Sequence, residues 1–162
     1  MKGITTKNMV RQALIAAIYF VLTITLGGIA YGPIQFRYAE ILNLLAFYNP
    51  INAIGVTVGV FVSNIGSPLG LIDVIFGTLH TIIALFFITK SENLFIASLW
   101  PTVFAFIIGF ELSVLAGIEG GFLLLSAQVM ISEFIIMTLI ALPLFKYLEK
   151  NQKFIEIISL DN

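Results

Sequence analysis

The sequence predicts an all-α polytopic membrane protein with six transmembrane helices and cytoplasmic N- and C-termini, built as one membrane-embedded domain over residues 1–162. Three observations predict it. First, 59% of the 162 residues are hydrophobic and only 10% are charged, whereas roughly a quarter are charged in an average soluble domain. Second, six apolar runs, near residues 10–29, 38–47, 51–65, 69–89, 94–115 and 122–147, are separated by short glycine, proline and polar breaks. Third, the basic residues are distributed unevenly along a six-span path. Lys2, Lys7 and Arg11 precede the first run, Lys90 lies between the fourth and fifth, and Lys146, Lys150 and Lys153 follow the sixth. Only Arg37 falls on the other side. Positive charge stays on the cytoplasmic side, which sets the expected orientation.

Residues 10–29 supply about the 20 residues a helix needs to cross the hydrocarbon core. The run is as long as a full span and shows no cleavage site leading into a soluble domain, so it does not read as a cleaved signal peptide. Ala13 and Ala17 lie one turn apart with Ala16 beside them. Such spacing normally marks packing within a fold; if another protein meets this face, it offers a shallow surface for a partner helix. Gly32-Pro33 ends the first helix, because proline has no N–H to donate and restricts the residue before it. A new helix is expected near Phe36, and residues 38–47 give it only about 15 Å of length.

Asn49-Pro50 breaks the chain, and residues 51–65 form a short third span whose Gly55 and Gly59 predict close packing and a buried helix. Gly66-Ser67-Pro68 turns into the fourth span over 69–89. A polar loop at 90–93 leads to the fifth, over 94–115, with Pro101 near its start. After the turn at 117–121, the run over 122–147 is long enough to tilt or to project beyond the membrane. Residues 148–162 are expected as a cytoplasmic tail. Phe154, Ile155, Ile157 and Ile158 allow an interfacial helix there, but a frayed terminus is the plainer reading.

The composition also excludes several functions. With no cysteine and one histidine, the chain offers neither a disulfide framework nor a thiolate or histidine-rich metal site. A net charge of −1 excludes a strongly basic nucleic-acid binder. No phosphate-binding loop of the G-x-x-x-x-G-K-[ST] type, no H-E-x-x-H and no G-x-S-x-G occurs. The sequence therefore predicts no enzyme, no metal and no cofactor.

Polar residues inside membrane spans are energetically unfavourable, so each is a functional candidate. Arg37 and Glu40 stand three residues apart at the outer start of the second span and share a helix face, either as a mutual clasp or as part of a site. Asn64 ends the third span, Asp73 begins the fourth, and Asp73, Gly77 and His80 follow one stripe down it. Glu111 lies near the outer end of the fifth and reads equally as a site residue or a headgroup-level residue, whereas Glu119 reads as surface. Glu133, with Gln128 and Ser132 nearby, lies near mid-span in the sixth and must be protonated, paired or ligand-bound. His80 reads more simply as a core histidine donating to a backbone carbonyl than as a ligand contact. An outward cavity rich in carboxylates suits a small molecule with several N–H donors, such as the edge of a guanine-like base. Gly27 to Pro33 could form a lid over it or a passive turn.

Five blocks in order, Tyr31-Gly-Pro-Ile-Gln-Phe-Arg-Tyr-Ala-Glu40, Gly70-Leu-Ile-Asp73-Val-Ile-Phe-Gly77, Gly109-Phe-Glu111-Leu, Ser132-Glu133 and Pro143-Leu-Phe, resemble the queuosine-precursor transporter family over nearly the whole chain. That family is similar to the substrate-binding S components of energy-coupling factor transporters, whose alanine signature Ala13 and Ala17 match. The resemblance implies capture of a 7-deazaguanine queuosine precursor from outside the cell membrane. It also implies two kinds of partner: a transmembrane coupling subunit and two cytoplasmic ATPases. It places Arg37, Glu40, Asp73, Glu111 and Glu133 near the pocket and the alanines on the coupling face. A solitary proton-coupled transporter using Glu133 and Asp73, or an S component for another vitamin, stays open beside it.

Overall fold

A computed structural model of the chain describes residues 5–25, 27–31 and 34–159. The predicted Gly32-Pro33 turn, Lys2 and the last three residues of the tail lie outside the described residues. The architecture is all helical, with no strand among the described residues. Among the described residues, four helices are long and apolar enough to cross a membrane: Thr6–Thr25, Leu71–Ile88, Leu94–Leu115 and Gly121–Leu148.

Helix α1 (Thr6–Thr25) is opened by the Thr5 hydroxyl, which accepts from the Asn8 N–H at 3.3 Å. It buries a narrow and rather polar stripe, Asn8, Gln12, Ile15, Tyr19 and Thr23, and exposes Met9, Val10, Leu14 and Val21. This is the distribution expected when the surroundings are as apolar as the core, so that close fit and polar pairing hold helices together. The stripe lies against α3 (Asn52–Ile65). A Cβ added at Gly55 would stand 2.7 Å from the Gln12 carbonyl, and one at Gly59 2.7 Å from the Tyr19 Cβ. The two glycines therefore form the contact itself. The expectation of a buried α3 holds on that face alone, since Ile54, Val58, Phe61 and Ile65 are exposed.

The expected helix over 38–47 is replaced by a 3-10 helix, Tyr38–Leu44, followed by one α-turn, α2 (Leu45–Tyr48). Its burial explains how so short and irregular a segment is tolerated. It touches α1, α3, α4 (Leu71–Ile88), α5 (Leu94–Phe104) and the segment Phe134–Ala141, and buries Ala39, Glu40, Asn43 and Leu44. Backbone without a full α-helical ladder is stable at membrane depth only where protein encloses it.

The last two long helices are each interrupted. After α5 the Ala105 N–H donates to Thr102, 3.3 Å, rather than to the carbonyl four residues back. The helix resumes as α6 (Phe106–Phe110) and widens into a π-turn segment, Glu111–Leu115. Glycines at positive φ, Gly117, Gly120 and Gly121, reverse the chain. Helix α7 (Gly121–Glu133) then runs into a second π segment, Phe134–Ala141, and α8 (Leu142–Leu148).

The tail is not a frayed end. Helix α9 (Gln152–Ser159) lays Phe154, Ile155 and Ile158 on the apolar core, with the Phe154 ring edge-on to Phe145 at 6.0 Å. Its last carbonyls are held from elsewhere in the chain: Asn52 donates to Ile158 at 3.0 Å and Arg11 to Ile157 at 3.1 Å. The sequence pattern contained the apolar face but not these capping donors, which lie more than a hundred residues away.

The seam between α1 and α3 yields one expected outcome. Gly59→Val should destabilise the protein by about 1–3 kcal/mol through overpacking against Tyr19. The measurement is the thermal unfolding midpoint in detergent, and an unchanged midpoint would show that the seam can open without loss.

Candidate functional site

The polar side chains converge around the N-terminal end of the 3-10 helix. A 3-10 helix turns every three residues, so positions i and i+3 eclipse. Arg37 immediately precedes it, and Glu40 and Asn43 follow at that spacing along one line. All three are buried. The Glu40 carboxylate is gripped on both oxygens: the Tyr19 phenol of α1 donates to Oε1 at 2.5 Å and the Asn43 amide donates to Oε2.

Arg37 does not pair with Glu40. Its Nη2 lies 3.8 Å from Asp73 Oδ2 on α4, its Nε donates to the Ala30 carbonyl at 3.4 Å, and its guanidinium stands 5.4 Å from the Tyr31 ring centroid. The Tyr31 hydroxyl in turn donates to the Ser63 carbonyl at 2.8 Å, tying this segment to the end of α3. Asn64 donates to the Asp73 backbone carbonyl at 3.1 Å. Gly77 is small because those side chains pass over it: an added Cβ would be 2.6 Å from Asp73 Oδ1 and 2.7 Å from Asn64 Nδ2.

Glu111 and Glu133 approach from the far helices. Glu111 opens the first π segment and feels the charges of Asp73 and Arg37, while Glu133, the last residue before the second, feels those of Glu40 and Arg37. Widened turns of this kind often mark functional positions, because they turn a side chain out of the regular α-helical register. One arginine thus faces four acids. Glu119 lies exposed in the turn beyond them.

His80 is buried on α4 with Nε2 3.0 Å from the Pro101 carbonyl, the acceptor left over by the break at Ala105. It lies within electrostatic range of Glu40 and Arg37 and holds α4 to α5. Gln128 is half-buried on α7, and the Ser132 hydroxyl donates to its backbone carbonyl. Ala13 and Ala17 are exposed on α1, while Ala16 is half-buried, with its carbonyl close to Gly59 of α3.

The most informative chemistry is what stays unpaired. Buried and without a hydrogen-bond partner among the described residues are Asn43 Oδ1, Asn64 Oδ1, both Asp73 oxygens, both Glu111 oxygens, Gln128 Oε1 and Glu133 Oε2. Fewer donors stand against these acceptors: Gln35 Nε2, Arg37 Nη2 with its ion pair to Asp73, and the hydroxyls of Thr102 and Ser126 likewise lack a hydrogen-bond partner among the described residues. Unmade hydrogen bonds of this sort are unfavourable by roughly 1–3 kcal/mol each. Together they leave the interior of the bundle with several buried acceptors that no described donor satisfies. No group of three or more metal-ligating residues occurs among the described residues.

Sequence reasoning missed Tyr19, Asn43 and Gln35. Tyr19 shares a helix stripe with Gln12 and Ile15, but a tyrosine amid apolar residues reads as packing. Asn43 escaped because its alignment with Glu40 depends on a three-residue turn.

These features define a multi-pass membrane protein whose helices enclose a buried, acceptor-rich polar site. A family model described as QueT transporter matches residues 9–150, and the chain belongs to that family, whose members are transporters and not enzymes. Over 87 residues the chain is 46% identical to the queuosine precursor transporter QueT of Lactococcus lactis subsp. cremoris (strain MG1363), covering 52% of this chain and 51% of that protein. The chain thus spans about half the length of this curated relative. No solved structure matches it significantly.

The unpaired acceptors give a second expected outcome. Replacing Glu111, fully buried with both oxygens unpartnered, by leucine should stabilise the ligand-free protein by roughly 1 kcal/mol or more, a rise of about 2–4 °C in its unfolding midpoint. A fall in the midpoint would mean that Glu111 is held by structure and not reserved for a ligand.

Proposed function

We propose that this chain is the substrate-binding S subunit of an ATP-driven energy-coupling factor transporter that imports a queuosine precursor, a 7-deazaguanine base such as the 7-aminomethyl or 7-cyano form. The observation that carries the reading is the excess of buried acceptors over donors around Arg37, Glu40, Asp73, Glu111 and Glu133 in a chain of the QueT transporter family. A 7-deazaguanine offers the matching pattern, with adjacent ring and exocyclic N–H groups that a carboxylate accepts in parallel. Asn64, His80 and Gln128 complete the proposed lining.

In this reading the chain crosses the membrane six times with both termini in the cytoplasm. The short second span is the 3-10 helix with α2, and the third is α3. The site opens outward, opposite the lysine-bearing ends. Translocation depends on a transmembrane coupling subunit and two cytoplasmic ATPases. Helix α1 suits the coupling contact, because it is less buried than the other long helices and exposes Met9, Val10, Leu14, Ile18 and Val21. Its exposed Ala13 and Ala17 let a partner backbone approach closely.

A second reading is a solitary proton-coupled transporter. The buried carboxylates of Glu133 and Asp73 favour it, since intramembrane acids also carry protons.

Calorimetric binding of 7-aminomethyl-7-deazaguanine, guanine and riboflavin to the purified protein tests the first reading. The deazaguanine should bind selectively, and Glu133→Gln or Asp73→Asn should weaken it by about tenfold or more. Absence of deazaguanine binding by folded protein overturns the substrate. Co-purification with a coupling subunit and ATPases supports the first mechanism, whereas uptake driven by a proton gradient without ATPases supports the second.

A further inference from the structure

Among the four acids of the site, Glu40 is built differently from the rest. Both of its oxygens already accept hydrogen bonds inside the protein, one from Tyr19 and one from Asn43. Among the described residues Glu111 has no hydrogen-bond partner on either oxygen, Glu133 Oε2 has none, and Asp73 has only its 3.8 Å ion pair with Arg37. A carboxylate offers about four lone-pair sites, so two donors fix its plane and leave further sites for a ligand. The Asn43 amide that donates to Glu40 leaves its own Oδ1 unpartnered and fully buried beside it. Glu40 and Asn43 thus form one hydrogen-bonded unit with acceptor capacity to spare, whose orientation is set from α1.

Tyr19 is the part that sets it. Its side chain is wholly buried, and Gly59 provides the space for it, because a Cβ there would press on the Tyr19 Cβ at 2.7 Å. The phenol is therefore seated by packing before it donates, which gives it little freedom to follow a rotating carboxylate.

We propose that Tyr19 is a specificity-determining positioning residue: its phenol fixes Glu40, and with it the Asn43 amide, as the acceptor edge that reads the N–H-bearing edge of a purine-like base. The inference rests on the substrate class proposed above and assigns one edge of that substrate to one part of the site. The substituent at position 7 then falls to Asp73 on α4, to Glu111 and to Glu133 on α7.

The test is calorimetric binding of three ligands to the full chain in detergent: 7-deazaguanine, 7-deazahypoxanthine, which lacks the exocyclic amino group, and 7-aminomethyl-7-deazaguanine. Wild type is compared with Tyr19→Phe, Glu40→Gln and the double variant. Tyr19→Phe should shrink the preference for 7-deazaguanine over 7-deazahypoxanthine by about tenfold, while the preference for the aminomethyl form over 7-deazaguanine stays unchanged. Adding Tyr19→Phe to Glu40→Gln should reduce the first preference no further, because the phenol acts through the carboxylate. Equal weakening of all three ligands, or additive losses in the double variant, would overturn the proposal. Should Tyr19→Phe fail to fold, Gly59→Ala displaces the ring with its hydroxyl intact and carries the same expectation. A wild-type protein that binds none of the three sinks the substrate reading itself; one that binds with selectivity indifferent to Tyr19 sinks only this inference.

Discussion

A 3-10 helix at membrane depth must be walled in by other helices, and much of this architecture follows from that constraint. The segment Tyr38–Leu44 lacks the regular ladder that lets a single helix face lipid. Helices α1, α3, α4 and α5 and the segment Phe134–Ala141 enclose it. The same enclosure makes the site, because the side chains projecting from the segment at three-residue intervals meet those the walls bring in. A regular α-helix in its place would fan Glu40 and Asn43 around its axis and break the line they form.

Two of the walls are themselves irregular where they carry acids. Glu111 begins a π segment and Glu133 immediately precedes one. Each gives up regular helical bonding at the point where a carboxylate must be turned inward. Together with acceptors that lack a hydrogen-bond partner among the described residues, these are departures from maximal stability, of the kind proteins tolerate where function requires them.

The sequence made the membrane class, the four longest helices and the polar candidates legible, because hydrophobic length and the rarity of charge are local properties. It predicted the stripe from Asp73 through Gly77 to His80, since helical periodicity is enough to place those residues on one buried face. It also singled out Gly55 and Gly59 as a close-packing pair, though not Tyr19 as what fills the space. The rest depended on long-range context. Whether residues 38–47 form an α- or a 3-10 helix is decided by what surrounds them. Arg37 pairs with Asp73 because α4 brings that acid to it, while Tyr19 of α1 and Asn43 hold Glu40. The tail looked frayed because its apolar residues are few, and the donors that cap it, Arg11 and Asn52, belong to other parts of the chain.

Those capping contacts bear on how the protein is made. The bond from Arg11 to Ile157 joins residues 146 positions apart. During synthesis α1 enters the membrane long before its partner at the other end exists. Until α9 arrives, the first helix lacks one of its anchors, and the base of the bundle is open at the junction of α1 and α3. Contacts of such high sequence separation form late in folding. Helix α9 therefore acts as a closing seam, and the bundle reaches its full packing only once α9 has been made.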